Sequence, residues 1–334
     1  MAKTALAIDA MGGDYGPRVV VPATLKYLQE TPAVSVFLVG NQSEISPLIS
    51  TRFASRVTIV HADEVIAMDE KVSVALRTKK NSSLRLALEL VANSEAQACV
   101  SAGNTGALMA LGRYLLKTID GVSRPAICGA VPSLNSHSYL LDMGANVDCA
   151  AQDLLCFAIM ASVLVKELDG KPNPTVALLN NGEEAIKGNN QVKEAAELLA
   201  QCKAINYIGF VEGDKLYEAA ADIIVCDGFV GNIALKASEG VAKYVIEKIR
   251  QEIKSDPISR FLSLFALPEF HRIKSKIDPR RFNGASLLGL KGIVVKSHGN
   301  ADELAFFHAL QHASYMMSAD IVHQLDIKFK SLRV

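Results

Sequence analysis

Six stretches of this chain place glycine and small polar residues directly behind an apolar or β-branched run. MGGD follows AIDA (Met11–Asp14), SAGNTGA follows ACV (Ser101–Ala107) and MGAN follows YLLD (Met143–Asn146). ALLNNGEE (Ala177–Glu184), IVCDGFVGN (Ile224–Asn232) and VVKSHGNAD (Val294–Asp302) repeat the form further along. Glycine lets backbone approach a ligand closely, and the unpaired N–H groups of a following helix attract anions, so each stretch has the ingredients of a phosphate cradle. Asp9, Asn104, Asp142, Asn146, Asn180, Asn181, Asp227 and Asn232 all fall at these exits. Any one of the six reads equally well as an ordinary turn with an ordinary N-cap; their accumulation is the signal.

The spacings of several better-known chemistries are missing. There is no G-x-G-x-x-G after the first apolar run, no G-x-x-x-x-G-K-[ST] and no G-x-S-x-G nucleophile elbow. No H-E-x-x-H occurs, and His308 and His312, at i, i+4, sit among Phe306, Phe307 and Leu310 as packing or surface residues. No metal and no cofactor are expected.

Loops of this kind need a scaffold, and the chain alternates short apolar runs with longer segments of helical period. TALAID, PRVVVPATLKYLQE, SVFLVG, SEISPLIS and VTIVH set the rhythm, and SSLRLALELVAN, QACVS, NTGALMALGRYLLKT, PAICGAV and SYLLD resume it. DLLCFAIMASVLVKEL, TVALLN, QVKEAAELLAQC, INYIGF and DIIVC carry it further. This is the βαβ pattern of an α/β sandwich, a mostly parallel sheet with helices on both faces, whose strand exits gather on one edge. No linker, repeat or low-complexity tract divides the chain, so residues 1–334 are expected to form one domain.

One segment breaks the rhythm. From about residue 256 to 282, DPISRFLSLFALPEFHRIKSKIDPRRF carries Leu264, Phe265, Leu267 and other apolar residues around Pro268, and it reads as an inserted helical hairpin. Arg260, Arg272, Lys274 and Lys276 make it locally basic, a surface suited to an acidic partner or a membrane; a dimer interface or a core-capping hairpin with solvated charges is the other reading.

Composition sets the outer limits. With 50% hydrophobic and 21% charged residues in 334, the chain is not disordered, and 35 basic against 35 acidic residues argue against nonspecific binding of nucleic acid. Six cysteines without a C-x-x-C pair suit reduced, mostly buried thiols in a cytosolic protein. The N-terminus shows no basic leader or cleavage site, so no signal peptide is expected. The uncharged stretch Leu154–Val165 is well short of the roughly 20 residues that span a bilayer.

Taken together, IDAMGGD, SAGNTGA, LDMGAN, LLNNGEE followed by KG, DGFVGN and VVKSHG resemble the bacterial phosphate acyltransferase family, the acyl carrier protein:phosphate acyltransferases of phospholipid synthesis. The resemblance runs from Ile8 to about Gly299, with the motifs in the family's order. It implies transfer of a long-chain fatty acyl group from acyl carrier protein to inorganic phosphate. It also implies a homodimer with a three-layer α/β/α fold akin to isopropylmalate dehydrogenase and phosphotransacetylase. The product would pass to a membrane glycerol-3-phosphate acyltransferase, which fits a cytoplasmic protein with peripheral contact to the membrane surface.

Elementary chemistry agrees with that reaction. Phosphate near neutral pH is an anionic nucleophile, and a thiol with a pKa of about 8.5 leaves with little acid assistance. No protein nucleophile is required, so the protein must hold phosphate against the thioester carbonyl and stabilise the oxyanion. On this reading Lys187 offsets phosphate charge, unless it pairs with Glu183 or Glu184. His298 donates to phosphate, oxyanion or departing sulfur, unless it merely caps the last helix. Asn104, Thr105, Asn181 and Asn232 supply donors, with Asn232 placed beside the reacting atoms. Gly12, Gly13, Gly103 and Gly231 permit close approach, while Asp9, Asp142 and Asp227 orient these donors or bind pantetheine amide. Asn146 and Asn180 line the same cleft. Arg260, Arg272, Lys274 and Lys276 would steer the acidic carrier, and Leu264, Phe265 and Leu267 would enter the membrane surface. Rival readings are a phosphotransacetylase using acyl-coenzyme A, an NAD-dependent decarboxylating dehydrogenase, for which no metal-binding carboxylate cluster is evident, and a non-catalytic scaffold that binds acyl carrier protein.

Overall fold

The computed structural model describes residues 4–134, 136–255 and 278–332. The apolar runs become strands because alternate residues serve two different faces. In β1 (Thr4–Asp9), Leu6 and Ile8 pack on one face and Ala7 on the other, all fully buried. The remaining strands are β2 (Val34–Gly40), β3 (Val57–His61), β4 (Ala98–Ser101), β5 (Ala126–Pro132), β6 (His137–Leu141), β7 (Thr175–Asn180), β8 (Asn206–Glu212), β9 (Ile223–Val225), β10 (Ala285–Leu288) and β11 (Ile293–Lys296). Among the described residues they form one 11-stranded sheet in the order β3-β2-β1-β4-β11-β10-β5-β6-β9-β7-β8.

The sheet is mostly parallel, but its two ends run in opposite directions. β3, β2, β1, β4 and β11 are mutually parallel, and so are β6, β9, β7 and β8. Between the groups, β10 is antiparallel to both β11 and β5, and β5 is antiparallel to β6, which reverses the second group relative to the first. The expectation that all strand exits share one edge is therefore corrected: those after β1, β4 and β11 face one way, and those after β6, β7 and β9 face the other. Register limits the separation. Ile8, Val100, Val295, Ser286, Cys128, Leu141, Val225 and Leu178 lie on one continuous line of paired residues across the sheet. Both groups thus end at the same level, with one strand body lying to either side of it.

Helices cover both faces. On one face a continuous core is sealed by α1 (Pro17–Glu30), α6 (Ala151–Asp169), α7 (Asn190–Gln201), α9 (Glu303–Ser318) and α10 (Ile321–Ser331), with Tyr27, Phe157 and Phe306 fully buried in it. Pro17 at the first helical position of α1 costs nothing there, since its missing N–H would have no partner. On the opposite face the core is split in two. α3 (Val72–Thr78), α4 (Ser83–Ala92) and α5 (Thr105–Leu116) cover the first parallel group, while a smaller cluster around Leu140, Ala177, Leu179 and Ile224 belongs to the second. A short helix, α2 (Gln42–Ile45), follows β2, and the 28-residue α8 (Gly228–Ser255) follows β9.

The helical hairpin expected at about 256–282, with Arg260, Leu264, Phe265, Leu267, Arg272, Lys274 and Lys276, lies outside the described residues apart from its last turn, Pro279–Phe282. All six cysteines are unpaired, and four of them are buried. Among the described residues no helix is long and apolar enough to cross a membrane.

Candidate active site

The first group of exits is held by contacts between glycines. A side chain at Gly12 would meet Gly103 N at 2.7 Å, and one at Gly13, where φ is +86°, would meet Gly299 O at 2.8 Å. Only glycine allows three loops to press together this closely. Asp14 N donates to Gly299 O at 2.8 Å, tying the β1 exit to the β11 exit. Beneath them Asp9 is buried; its Oδ2 accepts from Ser101 Oγ at 2.6 Å and its Oδ1 from Met11 N at 3.3 Å. Burial raises the Asp9 carboxyl above its ordinary range, against the pull of these donors.

Asn104 caps α5. Its Oδ1 accepts from Ala107 N at 3.0 Å, and its Nδ2 donates to the carbonyls of Ala67, Met68 and Glu70 at 3.0–3.1 Å. The carboxamide expected to face a ligand is thus spent on fastening a neighbouring loop. Thr105 and Gly106 follow at the open end of α5, whose first N–H groups have no partner inside the helix.

The β11 exit gathers positive charge. Lys296, only 9% exposed, ends the strand, and its Nζ donates to Ala102 O at 3.2 Å and to Ser297 O. His298 follows, fixed through its backbone N to Asn283 Oδ1 at 2.9 Å. The cap of α9 is Asp302, which accepts from Ala305 N at 2.9 Å, so His298 does not fill that role. Its Nε2 stands 3.5 Å from both Lys236 Nζ and Glu239 Oε1 on α8, and Lys236 pairs with Glu239 at 3.0 Å. Burial, then the Lys236 charge, lowers the pKa of His298 and favours the neutral imidazole.

α8 links the two groups of exits. Its first turn packs on the loop after β6 without side chains between: Gly228 N donates to Asn146 O at 2.7 Å, and Gly231 lies so close to Asp142 O that no Cβ fits. Asp227 caps the helix by accepting from Val230 N at 2.8 Å. Asn232 leans on Gly144, and one turn later Lys236 reaches His298. Asp142, fully buried, accepts five hydrogen bonds: Ile127 N, Gly144 N and Ala145 N on Oδ1, and Asn146 N and Nδ2 on Oδ2, all within 2.8–3.1 Å. Burial nonetheless raises its pKa. Asn146 also donates to Pro125 O at 2.9 Å, so its amide is committed to the loop.

The β7 exit stands at the outer side of this second group. Asn180 donates from Nδ2 to Gly182 O at 3.0 Å and packs on Gly188, whereas Asn181 is exposed. Lys187 is exposed and folds across Gly182; among the described residues it forms no ion pair, Glu183 being taken by Lys215. His312 is half-buried and its ring is bonded to Ser286 Oγ at 2.7 Å, with desolvation pushing it down to about 4, and His308 bonds Gln311, so both are packing residues. No cluster of three or more potential metal ligands occurs among the described residues.

Sequence reasoning missed Lys296, Lys236, Glu239 and Ser101. A lysine closing a strand whose every residue is buried was the available signal for Lys296. Lys236 and Glu239, at i, i+3 on a helix, carried none until the helix was placed.

Comparison with known proteins shows the family and the fold. Residues 4–324 match the family described as "Fatty acid synthesis protein". A phosphate acyltransferase of Methylococcus capsulatus is 50% identical over 325 residues, covering 96% of each chain. One from Pseudomonas syringae is 54% identical over 316 residues, covering 94% of this chain and 93% of the relative. The crystal structure of a phosphotransacetylase from Streptococcus pyogenes superposes with a TM-score of 0.62 at 16% identity, over 96% of this chain and 94% of that one, so the three-layer fold is shared. With both groups of exits inside the matched span, the chain belongs to the phosphate acyltransferase family.

Proposed function

We propose that this chain transfers a long-chain acyl group from the thioester of acyl carrier protein to inorganic phosphate, giving an acyl phosphate and the free carrier thiol for phospholipid synthesis. The observation that carries the reading is the meeting of Lys236, Lys296 and His298 at the β11 exit, beside the loop that opens α5. Lys296 is buried, whereas Lys236 is exposed and paired with Glu239, and a phosphate between them would gain from both charges. A phosphate oxygen attacks the thioester carbonyl, the carbonyl oxygen takes the negative charge, and its return expels the thiolate, which takes a proton from water. Lys236 and the open N–H groups of Thr105 and Gly106 hold the phosphate. His298, neutral and able to donate, and Asn232 face the oxyanion, whose stabilisation by one good donor is worth on the order of a hundredfold in rate.

Asp9, Asp142 and Asp227 act on the loops, not on the ligand, since each is occupied by backbone donors. Lys187 and Asn181, both exposed beside the β7 exit, would meet the carrier's phosphopantetheine arm. The basic residues Arg260, Arg272, Lys274 and Lys276 suit the acidic carrier, and Leu264, Phe265 and Leu267 suit shallow entry into a membrane surface, where a membrane glycerol-3-phosphate acyltransferase would take the product. The working unit is a homodimer.

The test is to incubate the purified protein with palmitoyl carrier protein and phosphate and to trap acyl phosphate with hydroxylamine, with palmitoyl-coenzyme A in a parallel arm. Hydroxamate with the carrier and little with the coenzyme supports the proposal; equal turnover assigns a phosphotransacetylase, and none assigns a scaffold. Carrier affinity should fall steeply with salt. Leu264→Glu with Phe265→Glu should abolish co-sedimentation with anionic liposomes, and unchanged binding would remove the membrane role.

A further inference from the structure

We propose that Lys296 is the positioning residue of the phosphate half of the site: its buried ammonium straps the β4 exit to the β11 exit and holds a positive charge beneath the bound anion. The inference rests on phosphate being the acceptor, as read above.

A lysine is a costly choice at this position. β11 lies between β4 and β10 in the middle of the sheet, and Ile293, Val294 and Val295 before it are buried aliphatics. A methionine would fill the space without desolvating a charge. Among the described residues the ammonium is also not stabilised by a direct ion pair. Its two hydrogen bonds go to backbone carbonyls, Ala102 O on one loop and Ser297 O on the other. Those carbonyls flank the groups proposed to meet phosphate: Gly103 through Gly106 follow Ala102, and His298 follows Ser297. The strap is continued by Ser297 N donating to Ser101 O at 2.8 Å and by Asn283 Nδ2 donating to Ser297 Oγ at 2.9 Å.

The groups that face Lys296 are Asp9 from β1, Asp14 from the loop after it, Lys236 from α8 and His298 from its own loop. Asp9 and Asp14 favour the ammonium, whereas burial and Lys236 oppose it. Burial dominates and brings the Lys296 pKa down to about 8. Deprotonation removes the charge under the anion and weakens the two donations of the strap, which are no longer charge-assisted, so phosphate binding should weaken as pH rises through that value. Phosphate itself gains negative charge over the same range, which alone would strengthen its attraction to a fixed cation. The two effects have opposite signs, and the direction of the trend separates them.

The experiment measures KM for phosphate and kcat between pH 6.5 and 9.5 by hydroxamate trapping, for the wild type, Lys296→Arg and Lys296→Met. In the wild type, KM for phosphate should rise about tenfold from pH 7 to 9.5 with kcat changing much less. Lys296→Arg, which keeps its charge throughout, should lose that rise; Lys296→Met should show the high KM at every pH. A Lys296→Arg profile that climbs like the wild type, or a Lys296→Met profile like the wild type at pH 7, overturns the proposal. Should Lys296→Met fail to fold, phosphate-induced thermal stabilisation of the wild type alone decides, since stabilisation that holds or grows from pH 7 to 9.5 also overturns it. Absence of turnover or stabilisation by phosphate at any pH refutes instead the underlying reading of the acceptor.

Discussion

Lys236 Nζ, on a helix that begins at the second group of exits, stands 3.5 Å from Nε2 of His298 at the end of the first group. α8 therefore delivers a cation from one half of the sheet to a loop of the other. Burial first, and then this cation, disfavour imidazolium, so His298 titrates below its ordinary range. Replacing Lys236 by methionine removes that repulsion while burial remains. The His298 pKa should then rise toward the usual histidine value, and any acid limb of the rate profile that it controls should move to higher pH. NMR titration of the His298 ring proton in both proteins checks the direction, and the same variant should raise KM for phosphate by roughly tenfold.

Two glycines of α8 should respond oppositely to alanine. A Cβ at Gly231 would run into Asp142 O and lies 2.9 Å from Cys226 Sγ, so the helix must lift off the loop at a cost of about 1–3 kcal/mol. Among the described residues nothing stands within 4 Å of a Cβ at Gly240, where alanine should stabilise by about 0.5–1 kcal/mol through helix propensity. Thermal melts should show Tm lowered for Gly231→Ala and raised for Gly240→Ala. Activity should fall only in the first, because only there does Asn232 move.

Much of this frame can be read from residue order, and the limits have physical causes. Pro17 at the start and the apolar face of PRVVVPATLKYLQE define α1 to the residue, and the short apolar run TALAID defines β1. The reversal of the second parallel group is decided instead by ASLL, four residues of β10 that arrive after the long segment following α8 and insert between β11 and β5. Nothing local in ASLL specifies its neighbours. In the same way, spacing marks Asn104 as a cap, but its three carbonyl acceptors come from residues 67, 68 and 70, more than 30 positions away. Whether an asparagine faces a ligand or is spent inside the protein depends on such distant partners.

Lys187 offers a separation of function from stability. It is exposed and forms no ion pair among the described residues, so Lys187→Ala should leave Tm unchanged within the roughly 0.5 kcal/mol typical of surface substitutions. If it meets the carrier's phosphopantetheine arm, KM for the acyl carrier substrate should rise several-fold while KM for phosphate stays put. A rise confined to phosphate would move Lys187 to the acceptor side, and no change in either would leave it a solvated side chain.

Asp142 is the counterpart of Asp9 in the other half of the sheet, each a buried carboxylate at a strand end that collects the donors of a glycine-bearing loop. The two differ in what depends on them. Asp9 is backed by mutual contacts among Gly12, Gly13, Gly103 and Gly299, whereas the loop after β6 gathers five donors on Asp142 and then supports the first turn of α8. Asp142→Ala leaves Ile127 N, Gly144 N and Ala145 N without their acceptor and frees the Asn146 amide, which should cost on the order of 3 kcal/mol or more. Asp142→Asn keeps one acceptor oxygen but turns an NH2 toward backbone donors, so it should fall between alanine and the wild type in chemical denaturation. Because α8 rests on this loop, both variants should also displace Lys236 from His298. The His298 pKa should then rise in Asp142→Asn as it does in Lys236→Met, although Asp142 touches α8 at Gly231, more than a helical turn before Lys236. A destabilised Asp142→Asn with an unshifted His298 would mean that the loop and the helix end move independently.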